Sequence, residues 1–111
     1  MAKFMLNICY GSKDGAEHPE DDSFVMSKYK EWSDSMAHCV LVAHKLVDGK
    51  GTVVKKQQSK IVEGPYTETK ESIGGFYIVE VESLATATKL ARQCPTVVYQ
   101  GGYCEVREVE F

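Results

Sequence analysis

Clustered cations, long apolar runs and paired cysteines are all scarce in this chain of 111 residues. Lysine and arginine total 13 against 16 aspartates and glutamates, a net charge of −3. Phosphate recognition needs grouped cations, so a nucleic-acid surface is not expected. The one basic group, Lys55, Lys56 and Lys60, is interrupted by Gln57, Gln58 and Ser59 and reads as a solvated strand-and-turn face. No stretch approaches the roughly 20 apolar residues of a membrane span. The opening MAKFMLNICYGS reads as a first strand and not as a leader, which gives the expectation of a cytoplasmic protein. Cys9, Cys39, Cys94 and Cys104 form no C-x-x-C pair, and no histidine stands at zinc-finger spacing from them. They are expected as buried free thiols, with no metal site. G-x-G-x-x-G, a Walker loop, H-E-x-x-H and a nucleophile elbow are all missing. No cofactor is expected.

The chain length suits one domain, residues 1–111, with 43% hydrophobic and 26% charged residues. Along KFMLNICY, Phe4, Leu6, Ile8 and Tyr10 share one face, and Lys3, Met5, Asn7 and Cys9 the other. Both faces are partly apolar. A helix is expected from near Pro19, where Glu20, Asp21 and Asp22 complement its dipole; Val25, Tyr29, Trp32 and Met36 form its buried stripe. His38 falls at its end, in a capping position, and His18 reads as a surface or capping residue ahead of it. CVLVAHKLV predicts a second strand, DGKG a turn, and TVVKK with SKIV a hairpin stopped by Gly64-Pro65. GFYIVEVE is the clearest strand. A second helix follows, capped by Ser83, with Leu84, Ala87, Leu90, Ala91 and Cys94 buried and Pro95 ending it. YCEVREVEF is the last strand.

This order predicts an α+β fold, the split β-α-β-β-α-β pattern of a ferredoxin-like sandwich with an inserted hairpin. Two helices cover one sheet face, yet the strands are apolar on both. Tyr77, Val79 and Val81 can face the helices, which leaves Phe76, Ile78 and Glu80 on the other side. Such a face suits an interface or a ligand cavity, and two sheets meeting there would make a homodimer.

Three groups carry the chemistry worth testing. Tyr103, Glu105 and Arg107 share a face of the last strand, where Glu105 and Arg107 either pair or grip an anionic ligand. His44, in phase with Val40 and Val42 on the second strand, is a candidate acid/base or anion contact beside the alternative of a structural histidine. EGPYTETKESIGGFYIVEV gathers Glu63, Tyr66, Glu68, Lys70 and Glu71 ahead of Gly74-Gly75 and a strand that carries Glu80. Composition alone makes it a charged turn.

That stretch resembles the D-G-P-F-x-E-x-K-E-x-x-G-G-[FY] signature of the DGPF branch of YCII-related proteins. Gly64, Pro65, Glu68, Lys70, Glu71, Gly74 and Gly75 match; Glu63 stands for the signature aspartate and Tyr66 for its phenylalanine. HPEDD, Trp32, LVAHKLVDGKG, LARQCP, YQGG and CEVREVE are also similar to that branch, so the likeness runs along the chain. The resemblance implies a dimeric α/β barrel, two ferredoxin-like subunits meeting through their sheets with a cleft in each. It also implies either an accessory role beside sigma factors or histidine–aspartate acid–base chemistry, which includes dehydrochlorination of a hydroxyquinone. With no histidine inside the first helix, His44 would serve only if the fold brings it near Glu63.

Three functions follow. One is a small-molecule-binding or accessory dimer whose polar cleft lies beside residues 63–75, with Tyr66, Lys70, Glu71, Glu80, Glu105 and Arg107 as ligand contacts. The second is a small lyase- or isomerase-like enzyme using His44 or Glu63 as acid/base. The third is an interaction partner of a transcription regulator.

Overall fold

Alternating apolar residues build β1 (Ala2–Cys9), the centre of a four-stranded antiparallel sheet. The computed structural model describes residues 1–9, 22–47, 50–65 and 73–110. The chain runs on through α1 (Asp22–Ser35), β2 (Val40–Lys45), β3 (Thr52–Gln57), β4 (Lys60–Pro65), β5 (Ile73–Val81), α2 (Leu84–Ala91), α3 (Pro95–Tyr99) and β6 (Tyr103–Val109). The sheet order is β2-β5-β1-β6, while β3 and β4 pair only with each other. The fold is mixed α+β, as expected. The expected start of α1 near Pro19, and Tyr10 on the first strand, lie outside the described residues.

One face of the sheet meets the helices. Phe4, Leu6 and Ile8 of β1 and Val79 and Val81 of β5 pack with Trp32 of α1, Met36 just past its end, and Ala87 and Ala91 of α2. Trp32 also ties the two helices, donating its indole N–H to the Leu90 carbonyl at 3.0 Å. Its ring lies 4.8 Å from that of Tyr77, and the Tyr77 hydroxyl hydrogen-bonds Ser33. The expected stripe of α1 holds: Val25, Trp32 and Met36 are buried and Tyr29 is half-buried.

Two details of the second helix differ from expectation. Ser83 caps α2, accepting from the Thr86 N–H at 3.2 Å, but Leu84 at its first position is exposed. The buried stripe of the helix starts only at Ala87. Pro95 does not simply end the helix; it opens α3, a turn whose N-cap is Cys94. Proline's fixed φ suits a first helical position as well as a stop. Gly101, at φ +67, then turns the chain into β6.

The hairpin closes through Gln58 and Ser59, both at positive φ, the conformation of a tight two-residue turn. β4 continues through Gly64 to Pro65, which pairs with Thr52. All of β3 is exposed, as is Ile61.

Candidate functional site

The second face of the sheet carries the chemistry. No helix among the described residues packs on it. Cross-strand partners in an antiparallel sheet share a face, and the register sets out transverse rows. The first row is His44, Phe76, Asn7 and Glu105, running from β2 through β5 and β1 to β6. Beside it lie Val42, Ile78, Met5 and Arg107, and next Glu80, Lys3 and Val109.

His44 reaches this face through an irregularity. Val40 pairs with Val79 on the helix side, yet Val42 pairs with Ile78 on the other side. A β-bulge at Leu41 inserts one residue and reverses the alternation. His44 is therefore in phase with Val42 but not with Val40, which corrects the simple alternation. Without the bulge its imidazole would point toward the helices. Instead it is exposed, its ring centroid 6.0 Å from that of Phe76.

At the other end of the row, Asn7 is buried and donates from Nδ2 to Glu105 Oε1 at 3.3 Å. Glu105 also stands 3.9 Å from the Arg107 guanidinium, a contact between exposed side chains and a weak one. Arg107 keeps most of its donors for another anion. Cys9 and Tyr103 close this end in register; burial pushes the Cys9 thiol up against a hydrogen bond with Tyr103, and the Glu105 carboxylate adds to the rise.

Neighbouring strands lie about 4.8 Å apart, so three intervals separate the backbones of His44 and Glu105 by roughly 14 Å. The two cannot exchange a proton directly. Between them the floor is the Phe76 ring and the Asn7 amide, half-buried and buried respectively.

The remaining candidates fall elsewhere. Glu63 sits on β4 opposite Val54, exposed, in the separate two-stranded sheet. Neither a hydrogen bond nor an ion pair joins it to His44 among the described residues. Glu80 is half-buried two rows from His44. Tyr66, Lys70, Glu71 and Glu68 lie outside the described residues. Among the described residues no group of histidine, cysteine and carboxylate side chains could hold a metal ion. No helix there is long and apolar enough to cross a membrane. Sequence reasoning passed over Asn7 and Phe76 as site residues; the signal for Asn7 was its being the one amide inside the apolar run FMLNIC.

A YCII-related domain matches residues 5–111, nearly the whole chain. The chain belongs to the YCII-related family. No curated protein matches this YCII-related chain. Among solved structures it is similar to the 5-chloro-2-hydroxyhydroquinone dehydrochlorinase of Burkholderia phenoliruptrix in complex with 2,5-dihydroxybenzoquinone. That protein is 11% identical, with a TM-score of 0.51 over 97% of this chain and 93% of the other. At that identity the likeness concerns the fold: a YCII-related antiparallel sheet with helices on one side.

Proposed function

We propose that this YCII-related protein binds a small planar polar ligand on the second face of its sheet, as a homodimer of the DGPF type. The carrying observation is the row His44–Phe76–Asn7–Glu105. An aromatic floor between an imidazole and a carboxamide–carboxylate pair suits a flat ring with polar substituents at both edges. Arg107, one row along, would take an anionic substituent. A hydroxylated quinone or phenol has that chemistry, and the dehydrochlorinase of similar fold binds 2,5-dihydroxybenzoquinone.

Two facts support the dimer. The strand order β2-β5-β1-β6, with every described pair antiparallel, fits a ferredoxin-like subunit of an α/β barrel whose partner sheet covers the second face. An isolated two-stranded hairpin is marginal in water, and this one exposes Val53, Val54 and Ile61 close in sequence to exposed Leu46 and Val47. A second subunit would cover both. Tyr66, Lys70, Glu71 and Glu80 are the further contacts the reading assigns to the cleft.

A second reading makes the same site a lyase- or isomerase-like centre with His44 as the acid/base, acting without Glu63, which sits on the separate hairpin. The exposed imidazole favours it, since a base must reach the substrate proton.

Thermal-shift titration with 2,5-dihydroxybenzoquinone, simple phenols and small carboxylic acids tests the binding. One ligand should raise the melting temperature, and both His44→Ala and Arg107→Ala should reduce the rise. Sedimentation should give about twice the mass of one chain. Turnover of the bound ligand that His44→Ala abolishes would favour the enzyme. A monomer whose melting temperature no ligand moves would overturn the proposal.

A further inference from the structure

The β3–β4 hairpin stands off from the sheet. Its strands pair only with each other, and neither packs along another described element. The chain leaves the main sheet after Lys45 and re-enters it at Ile73, two strand ends that lie side by side. The radius of gyration is 15.7 Å, above the roughly 13 Å of a compact chain of this length. Six residues per strand give the hairpin a reach of about 20 Å, enough to cross the molecule's smallest dimension of 19 Å.

Charge divides this arm from the body. Residues 50–65 hold four lysines and one glutamate, a net +3 in a chain of net −3, which leaves −6 on the rest. Lys55, Lys56 and Lys60 are exposed, and none has an ion-pair partner among the described residues. Val54 and Glu63 pair across the hairpin, as do Lys56 and Ile61, so one face presents two aliphatic side chains beside a lysine. The far end of the main sheet has the matching character. There β5 and β6 finish beside Lys3, with Glu80 half-buried and Glu82, Glu108 and Glu110 exposed. Met1 and Leu84, both exposed, flank these carboxylates at the start of β1 and the end of β5.

We propose that the hairpin is an arm exchanged between two copies of this chain, an inference that rests on the homodimer reading above. A face-to-face pair with its two-fold axis running across the strands sets the arm end of each sheet over the acidic end of the other. Each arm then closes on its partner. Val54 and Ile61 seat against the partner's Leu84 and the partner's Met1, removing apolar surface that a lone hairpin leaves in water. Lys55, Lys56 and Lys60 meet the partner's Glu82, the partner's Glu108 and the partner's Glu110. Glu80 lies at that end of the second face, so the arm also shuts one end of the partner's cleft.

Sedimentation equilibrium of the full chain measures the association. Lys55→Glu, Lys56→Glu and Lys60→Glu together should weaken the dimer about tenfold or more, since like charges would then face one another. Adding Glu82→Lys, Glu108→Lys and Glu110→Lys to the same chain should restore most of the affinity. Carbodiimide coupling of mixed isotope-labelled and unlabelled wild-type chains should join arm lysines to end glutamates between chains. Association that ignores the lysine reversal, or arm-to-end links confined to single chains, would overturn the arm exchange and leave the homodimer standing. A chain that stays monomeric at every concentration would overturn both.

Discussion

Asn7 reaches from a buried position on β1 to Glu105 on the neighbouring β6 strand, donating its amide across 3.3 Å. That bond fixes a carboxylate that would otherwise swing in solvent, and it holds one end of the row that begins at His44. Removing the amide leaves Glu105 free to turn toward Arg107. Asn7→Ala should cost about 1–2 kcal/mol in urea denaturation, less than a fully buried charged bond because Glu105 is partly hydrated. In a double-mutant cycle with Glu105→Ala the double variant should cost less than the sum of the two single variants; full additivity would show that the bond contributes nothing.

Gly75 faces the backbone of the strand that carries His44. A Cβ there would stand 3.0 Å from the His44 carbonyl oxygen and 3.4 Å from the Lys45 Cα. Neither can swing aside as a side-chain tip does. Gly75→Ala should destabilise by about 1–3 kcal/mol and move the His44 ring resonances in NMR. Gly64→Ala is the control, since nothing lies within 4 Å of its Cβ position, and its cost should stay near the backbone-propensity level of about 0.5 kcal/mol.

Trp32 joins α1, α2 and the sheet through one side chain. Trp32→Phe removes the donor to the Leu90 carbonyl and some core volume. A loss of about 2–3 kcal/mol is expected. Chemical denaturation followed by far-UV circular dichroism measures it, and a change below 0.5 kcal/mol, the scale of a surface substitution, would contradict the packing described here.

Alkaline pH should weaken the fold. Burial pushes the Cys9 and Cys39 thiols above their ordinary value of 9.0. On unfolding they return to that value, so between it and the folded value the native state holds more protons than the unfolded chain. Stability from these groups is full below pH 9.0 and falls as pH rises through the folded values. Melting temperature measured under reducing conditions should decline from pH 9 toward 10, and Cys39→Ala should make the decline shallower.

Much of the fold was legible because alternation survives folding wherever a strand is regular. Phe4, Leu6 and Ile8 lie on the helix side, and Tyr103, Glu105 and Arg107 lie opposite, as period two requires. Trp32 and Met36 followed from helical spacing in the same way. His44 did not follow. A bulge leaves no mark in a run such as VLVAH, because every residue around it is compatible with either face. Leu84 misled for a related reason: periodicity counts it in the buried stripe of α2, yet it is exposed, whereas Cys94 is buried as expected although it caps α3 and lies past the end of α2.

The sequence by itself determined the strands, the first two helices, the apolar stripe of α1, the faces of β1, β5 and β6, and the family likeness, all of them local patterns along the chain, but not α3. The tertiary structure alone decided which residues meet. It placed His44, Phe76, Asn7 and Glu105 in one row and set Glu63 on a separate hairpin. The physical reason is register: one inserted residue at Leu41 reverses a strand, and contacts between strands distant in sequence depend on that count, not on local propensity.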